Sequence, residues 1–328
     1  MNKAILLCVA ILMASACFRI DLQDELAKQD VNAWLTKLDD STPLVSLSIP
    51  GAHDAASSTI NVLPHFTRTQ ELNISEQWAR GVRAFDLRPA WKDGTLGIYH
   101  DRFDAQVSFQ HIINTLFIAL GRNPGEFAIV LVRHEQEADE NDPDWPSAMG
   151  QYLGSAKDNL IDYNPSLTLG DMRGKILILS RNEYDGGPYG GYIKDWNHGA
   201  DIGGQKKSSI MVRGAEAYFP VWIQDYYDPA TVEDKWAIVK AMLDATATAA
   251  DSDTPPLVIN HASGYIGGNL PDYRSNARST NAKIADYLAS SSAPAGIIMM
   301  DYVGAAKSSG VSVYGDVLLD AIIKNNKN

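Results

Sequence analysis

Eight short apolar segments recur along the chain, and their length and aliphatic or β-branched composition predict eight β-strands. Apolarity that is nearly continuous within a segment is typical of strands covered on both faces, as in a parallel sheet. In chain order the segments are "LVSLSIPG", "VRAFDLRP", "LGIYHD", "FAIVLVRHE", "KILILSRN", "VWIQDYY", "LVINHAS" and "GIIMMDYVG".

Helical periodicity appears between several of these strands. In "TVEDKWAIVKAMLDATATAA", Thr231 and Asp234 predict a helix cap, and apolar residues from Val232 to Leu243 follow at helical spacing. The segments "SFQHIINTLFIAL" and "YGDVLLDAIIKNN" also predict helices. Strands that alternate with helices favour an α/β fold, an irregular (β/α)8 TIM-type barrel that forms a single domain over residues 41–328. The helix between strands two and three is missing, because the turn at "KDG" leaves no room for one.

The first residues of the chain have the pattern of a secretory signal peptide. Lys3 precedes an apolar run from Ala4 to Met13, which is too short to span a membrane, and the small residues Ala14–Ala16 predict a cleavage site. We therefore expect a signal peptide over residues 1–16 and an exported protein. Residues 17–40 are polar and predict a spacer with a short helix around 31–38.

The two cysteines, Cys8 and Cys17, lie within or beside this leader, so the mature domain is expected to have no disulfide. Cys17 follows the small residues directly, as in a bacterial lipoprotein, although Ala14 stands where such signals usually carry leucine. Two alternatives stay open: a secreted protein, or an envelope lipoprotein anchored through Cys17.

Composition and charge narrow the range of partners. The chain has 328 residues, 45% of them hydrophobic, which is enough for a large core. The net charge of −12 argues against nucleic acid, because binding to phosphate backbones needs a basic surface. We expect a monomer without a cofactor.

Polar side chains stand at or near the carboxyl ends of most of the predicted strands. In a barrel these ends form one face, where active sites are found. Buried charges are costly unless they are paired, so a set of this size predicts a functional site rather than core packing. For single members a structural role stays open, since Asp86 or Glu135 could simply pair with a neighbouring arginine and hold it in place. The set comprises His53, Asp54, Asp86, Arg88, His100, Arg133, Glu135, Arg181, Asp225, Tyr227 and Asp301.

The residue types in this set suit phosphodiester cleavage by an internal hydroxyl. Two histidines with carboxylates beside them can serve as general base and general acid near neutral pH. An arginine offers a fixed cationic fork for a phosphate and can stabilise charge in the transition state. A metal site is disfavoured, since the histidines lack HExxH spacing and an arginine lies within the set.

The motifs "SIPGAHD", "RAFDLR…YHD" and "IIMMDY" together resemble bacterial phosphatidylinositol-specific phospholipase C, and "RGKILILSRN" and "IQDYY" support the resemblance. It covers about residues 41–328 and implies an irregular (β/α) barrel, a metal-independent activity and, as substrate, phosphatidylinositol or a glycosylated phosphatidylinositol at a membrane surface.

The resemblance also implies roles for individual residues. His53 matches the general base for the inositol 2-hydroxyl, with Asp301 orienting it. His100 matches the general acid, with Asp54 as its partner, and Arg88 matches the arginine that replaces a calcium ion. The expected substrate-binding residues are Asp86, Arg133, Glu135, Arg181, Asp225 and Tyr227.

Two features depart from the family pattern. Arg133 stands where a lysine is expected, so the hydroxyl contacts there can differ. The rim segments "NVLPHFTRTQ" and "SGYIGGNLPDY", which correspond to membrane-inserting segments of the family, have no tryptophan. Their apolar residues, which fit either weak insertion or ordinary packing on the barrel, are Leu63, Phe66, Tyr265, Ile266 and Leu270.

Other functions remain as alternatives. A catalytically silent surface lipoprotein that binds inositol lipids or glycans would be expected to lose a histidine or Arg88, and neither is lost. A calcium-dependent relative would have an acidic residue in place of Arg88. A glycerophosphodiester phosphodiesterase would begin its metal site with His-Arg-Gly, which the chain lacks.

Overall fold

A computed structural model describes residues 31–136, 138–139, 144–214, 218–266 and 271–326. The predicted signal peptide, both cysteines and Leu270 lie outside these residues. In chain order the described strands are β1 (Ser48–Ala52), β2 (Ala84–Leu87), β3 (Pro89–Lys92), β4 (Thr95–His100), β5 (Phe103–Ser108), β6 (Ala128–Val132), β7 (Ile176–Ser180), β8 (Gly191–Lys194), β9 (Ser209–Met211), β10 (Tyr218–Gln224), β11 (Leu257–His261), β12 (Gly296–Met300), β13 (Lys307–Ser308) and β14 (Val311–Ser312).

Helices alternate with these strands over much of the chain. The α-helices are α1 (Pro64–Thr67), α2 (Ile74–Arg80), α3 (Phe109–Arg122), α4 (Trp145–Ala156), α5 (Leu169–Met172), α6 (Ile202–Gln205), α7 (Val232–Ala249), α8 (Tyr273–Ala289) and α9 (Gly315–Lys324). Short 3-10 helices lie at Leu35–Lys37, Leu44–Ser46, Ser57–Thr59 and Lys157–Asn159. Among the described residues, no helix has both the length and the apolarity that crossing a bilayer requires.

Nine strands close into one barrel, in the order β1-β12-β11-β10-β9-β8-β7-β6-β2. Neighbouring strands run parallel, except that β9 is antiparallel to both β8 and β10. The closure between β1 and β2 is short, with only Gly51–Ala84 and Ala52–Phe85 in register. Every residue of β1, β6, β7, β11 and β12 is buried, which explains why their sequences are mostly apolar. The predicted irregular TIM-type barrel is confirmed.

The membership of the barrel differs from the prediction at one strand. The segment "LGIYHD" forms β4, which pairs with β3 and β5 in a separate antiparallel sheet. Its burial alternates from residue to residue, as expected of a strand with one exposed face. Its place in the barrel is taken by β8 and β9, whose three or four residues carry no extended apolar run.

The predicted helices are present as α3, α7 and α9. Thr231 caps α7, because its hydroxyl accepts from the backbone N–H of Asp234 at 3.1 Å. The predicted helix around 31–38 is a single 3-10 turn, Leu35–Lys37.

The N-terminal end of the barrel is closed by a buried ion pair. Arg83 and Glu126 lie fully buried with 2.8 Å between Nη2 and Oε2, and Glu126 also accepts from the backbone of Thr36. Trp34 is buried beside them and donates its indole N–H to the carbonyl of Gly81. Residues 31–38 therefore pack on the barrel end opposite the polar face.

Candidate active site

Side chains along each barrel strand face the interior and the helix layer in turn, and this alternation decides which polar residues point into the barrel. Asn260 donates to the carbonyl of Val239 in α7 and so faces the helix layer. Its neighbours Ile259 and His261 must then face the interior, because successive side chains leave a strand on opposite sides. The residue in register with His261 is Met299, whose sulfur would lie 2.3 Å from a Cβ at Gly51. Glycine at this position lets Met299 fill the barrel directly below the polar face.

His53 follows β1 and is held by a carboxylate. Its Nδ1–H donates to Oδ1 of Asp301 at 2.8 Å, and the other oxygen of Asp301 accepts from the backbone of Gly264 at 3.1 Å. Burial lowers the pKa of His53, but the nearby carboxylates of Asp54 and Asp301 raise it to about 9. His53 is therefore a strongly basic imidazole with its Nε2 turned toward the centre of the site.

Arg88 occupies that centre and contacts several carboxylates. Its Nε lies 2.6 Å from Oδ1 of Asp54, its Nη2 3.3 Å from Oδ2 of Asp86, and its Nη1 3.8 Å from Oε2 of Glu135. Burial disfavours the charged guanidinium, but these carboxylates outweigh it and raise the pKa of Arg88. Burial likewise raises the pKa of Asp54, while Arg88 and His53 lower it to about 2. Asp54 is thus held as a carboxylate beside the charged guanidinium of Arg88.

His100 reaches the same centre from outside the barrel, at the end of β4. Its Nδ1–H donates to the carbonyl of Thr67 at 2.8 Å, so Nε2 faces the site. This Nε2 lies 3.5 Å from Oδ2 of Asp54 and 3.4 Å from the hydroxyl of Tyr273. The same oxygen of Asp54 lies 3.5 Å from Nε2 of His53. Asp54 and Arg88 are therefore placed between two imidazoles whose Nδ1 positions are both fixed.

A second polar group lies on the side of β7 and β10. Asp225 accepts from the indole of Trp196 at 2.8 Å and lies 3.1 Å from Nδ1 of His198 and 3.8 Å from Nη1 of Arg181. Burial raises the pKa of Asp225, but the donors around it, including His261, hold it well below its usual value. Arg181 stacks on Trp196 at 4.0 Å, and burial lowers its pKa to about 10. These groups offer donors and an acceptor to a polyhydroxylated ligand.

The remaining predicted residues lie around these two groups. Nη2 of Arg133 is 3.9 Å from Oε1 of Glu135, which connects Arg133 to the Arg88 network. Tyr227 lies at the rim, 40% exposed, with its ring 5.3 Å from that of His198. The structure brings all eleven predicted residues to one end of the barrel.

The contacts of the possible metal ligands show whether they suit a divalent ion. Within the described part of the chain, one set of three has its ligand atoms close together, namely His53, Asp54 and Asp86. The guanidinium of Arg88 contacts all three, with 2.8 Å between its Nη2 and Nε2 of His53. A permanent cation already neutralises this carboxylate set, so the donor atoms fit Arg88 better than a divalent ion.

Four residues near the site were not among those predicted. His261 ends β11, the one predicted strand to which no polar site residue was assigned, and the alternation that places Asp225 and Asp301 also places it. Trp196 and His198 follow the short strand β8, and Tyr273 begins α8. No periodic pattern marks these last three positions in the sequence.

Comparison with known proteins supports the predicted resemblance. A 1-phosphatidylinositol phosphodiesterase of Staphylococcus aureus (strain Newman) is 26% identical over 336 residues, covering 93% of this chain and 96% of that protein. A 1-phosphatidylinositol phosphodiesterase of Listeria monocytogenes is 31% identical over 159 residues, which are 45% of this chain and 48% of that protein. No family model matches the chain.

Solved structures show the same fold. The phosphatidylinositol-specific phospholipase C from Listeria monocytogenes matches with a TM-score of 0.68 at 24% identity, over 90% of this chain and 98% of that one. A variant of the corresponding enzyme from Staphylococcus aureus matches with a TM-score of 0.70 at 22% identity, over 90% and 97% of the two chains. The resemblance to bacterial phosphatidylinositol-specific phospholipase C is thereby confirmed over nearly the whole chain.

Proposed function

We propose that the protein is a metal-independent phosphatidylinositol-specific phospholipase C that cleaves its lipid to diacylglycerol and inositol 1,2-cyclic phosphate. The observation that carries this proposal is the placement of His53 and His100 on either side of Asp54, each Nε2 3.5 Å from the same carboxylate oxygen. Two imidazoles so arranged can remove one proton and supply another across a single phosphate. The catalytically silent alternative has no comparable support, since both histidines and Arg88 are present and meet.

The reaction follows from these positions. Nε2 of His53 takes the proton of the inositol 2-hydroxyl, whose oxygen attacks the phosphorus. The bond from phosphorus to the diacylglycerol oxygen breaks, and protonated His100 gives its proton to that oxygen. Asp301 stabilises the imidazolium that forms on His53, and the guanidinium of Arg88 stabilises the charge that builds up on the phosphate oxygens. Protons balance, with one histidine ending protonated and the other neutral.

Recognition of the headgroup is assigned to the surrounding polar residues. The guanidinium of Arg181 can donate to ring hydroxyls and the carboxylate of Asp225 can accept from them. Asp86, Arg133 and Glu135 extend the polar network on the other side. Tyr227 is half-exposed at the rim, where its ring can lie against the face of the inositol ring. Free phosphatidylinositol and a glycosylated anchor share this headgroup, so both remain substrates to be compared.

Access to a membrane is assigned to the apolar rim beside His100. Val62 and Leu63 are 57% and 59% exposed at the start of α1, and Thr67 at its end holds His100 through its carbonyl. A large apolar side chain in water is stabilised when it enters the lipid interface. Seating this rim on a bilayer would bring the general acid next to the scissile bond.

Assay of the purified protein on phosphatidylinositol vesicles, with excess chelator and phosphorus NMR of the products, tests the proposal. We expect the cyclic phosphate to appear first. Linear inositol phosphate as the first product, with no cyclic species at early times, would exclude the mechanism. His53→Ala and His100→Ala should each lower the rate by roughly 10²–10⁴-fold.

We further propose that the protein acts as a monomer and is exported, either secreted or tethered to the bacterial envelope by acyl chains on Cys17. The small residues before Cys17 support processing at this point. Each CH₂ buried in a membrane contributes about 0.8 kcal/mol to a tether. Mass spectrometry of the mature N-terminus tests the anchor: an acylated Cys17 is expected, and an unmodified Cys17 or a start elsewhere would reject it.

A further inference from the structure

A third histidine, His261, lies inside the barrel between the two halves of the site. Its ring is 6.0 Å from the ring of His53, nearly perpendicular to it, and 5.8 Å from the ring of Trp196. Only 2% of its surface is exposed. The proposed reaction gives this residue no role, although it lies between the general base and the hydroxyl-binding group around Asp225.

The surroundings of His261 fix which nitrogen carries its proton. Nδ1 lies 3.1 Å from the hydroxyl of Ser263 and 3.6 Å from Oδ1 of Asp225. A carboxylate next to Nδ1 favours the tautomer with hydrogen on that atom, which leaves Nε2 as an acceptor. Burial lowers the pKa of His261 to about 3, so the ring is neutral at the pH of catalysis.

This acceptor is unsatisfied in the structure. Among the residues that the structure describes, Nε2 of His261 is buried and has no hydrogen-bond partner. A buried polar atom left without a partner costs roughly 1–3 kcal/mol, and such atoms are rare in folded proteins. A ligand hydroxyl that donated to Nε2 would remove this cost. An apolar side chain at this position would not have the cost at all, so packing alone does not explain a histidine here.

We infer that His261 is a further substrate-binding residue, whose Nε2 accepts a hydrogen bond from a ring hydroxyl of the polyhydroxylated headgroup other than the one that reacts. The inference rests on the proposed function and adds a contact to it. Ser263 and Asp225 hold the imidazole, and Asp225 also engages Arg181, so one carboxylate sets the positions of two groups that face the headgroup.

A double-mutant cycle between protein and substrate tests this contact. The variants are His261→Leu, which removes the acceptor, and His261→Gln, whose amide oxygen can replace it. The substrates are short-chain phosphatidylinositol and analogues that each lack one non-reacting ring hydroxyl. We expect wild type to lose about tenfold in kcat/KM on one analogue, as for a hydrogen bond of about 1.4 kcal/mol. His261→Leu should lose about tenfold in kcat/KM on the full substrate, and removing that hydroxyl from the substrate should cause no further loss. His261→Gln should recover part of the lost kcat/KM.

Packing effects are separated by a control in the same layer. Met299 is in register with His261 and its side chain has no nitrogen or oxygen atom that could hydrogen-bond a ring hydroxyl, so Met299→Leu should alter activity equally on all analogues. If His261→Leu behaved in the same way, with wild-type discrimination among the analogues, His261 would be a structural residue and the inference would be wrong.

Nitrogen NMR of the histidine rings gives a readout that does not need turnover. On addition of myo-inositol, Nε2 of His261 should shift as it gains a donor. A shift without any cleavage of phosphatidylinositol would refute the proposed function and leave the inference standing. Inositol binding that perturbs other residues without moving Nε2 of His261 would overturn the inference alone. An enzyme that cleaves phosphatidylinositol but shows no inositol binding would also overturn only the inference.

Discussion

Nη2 of Arg88 lies 2.8 Å from Nε2 of His53. A guanidinium N–H can only donate, so this contact requires an unprotonated Nε2. Asp54 and Asp301 act in the opposite direction, since they raise the pKa of His53 to about 9. A proton on Nε2 and the contact with Arg88 therefore exclude each other. In the proposed reaction the substrate phosphate must draw Arg88 away, which frees the base at the moment when the phosphate is in place.

Arg88→Lys should lower kcat/KM on phosphatidylinositol by about 10²-fold or more. Arg88 uses three different nitrogens to face Asp54, Asp86 and Glu135, and a single ammonium cannot reproduce this fork. Steady-state kinetics on vesicles measure the loss. Arg173 donates to the carbonyls of Leu35 and Leu38 at the opposite end of the barrel, so Arg173→Lys is the matched control and should keep the wild-type rate. A fully active Arg88→Lys enzyme would show that fork geometry is unimportant.

The rate should depend on pH through His53. A general base must be unprotonated, and kcat/KM reports the free enzyme, so below pH 9 it should fall by about tenfold per pH unit. In Asp301→Asn a carboxylate that raises the pKa of His53 is removed, so the inflection should move to lower pH. A pH–rate profile on a soluble substrate measures both. An inflection that stays in place in Asp301→Asn would rule out control by the His53–Asp301 pair.

The free energy of unfolding should also depend on the protonation of His53, but it should fall as pH rises, whereas the rate increases. The folded-state pKa of His53, about 9, lies above its ordinary value of 6.5. Protonated His53 therefore contributes roughly 3 kcal/mol to the free energy of unfolding. This contribution is fully present below pH 6.5 and is lost as pH rises through about 9. We expect the difference in unfolding free energy between wild type and His53→Gln to shrink between pH 6 and pH 10. His65→Gln, at an exposed position, is the control, and a difference that grew with pH would contradict the assignment.

Much of this site could be predicted because a β-strand imposes a period of two. Arg133 and Glu135 are two residues apart and belong to one network. The same rule reaches His261, which ends the one predicted strand to which no polar site residue was assigned. His100 lies beside Asp54 although β4 is outside the barrel, and the sequence could not predict this position of β4, since a polar strand end reveals little about which sheet the strand joins. Trp196 could not be predicted, because its contact with Asp225 depends on the path of a loop after a four-residue strand.

Activity should be independent of divalent metal. In the described part of the chain, the side chains grouped closely enough to ligate an ion are His53, Asp54 and Asp86. All of them contact Arg88, so an added cation would have to displace a guanidinium from its carboxylates. Initial rates on phosphatidylinositol vesicles in excess chelator should equal those in calcium. A sample that is first loaded with calcium and then treated with chelator shows whether bound calcium leaves the protein too slowly for the assay. Loss of activity in chelator and its recovery with calcium would refute the role of Arg88.

Gly190→Ala should destabilise the fold far more than Gly94→Ala. Both glycines have positive φ, +92° and +76°, which costs about 1–2 kcal/mol for an alanine. A Cβ at Gly190 would also lie 2.0 Å from the carbonyl oxygen of Ile178, whereas nothing lies within 4 Å at Gly94. Ile178 is fixed between β6 and β8, so the backbone before β8 must move, at a total cost of roughly 3 kcal/mol or more. Urea unfolding of both variants measures the difference. Since β8 leads to Trp196, Gly190→Ala should also weaken headgroup binding. If Gly190→Ala and Gly94→Ala lost the same free energy of unfolding, β8 would be able to shift without cost and the prediction would be wrong.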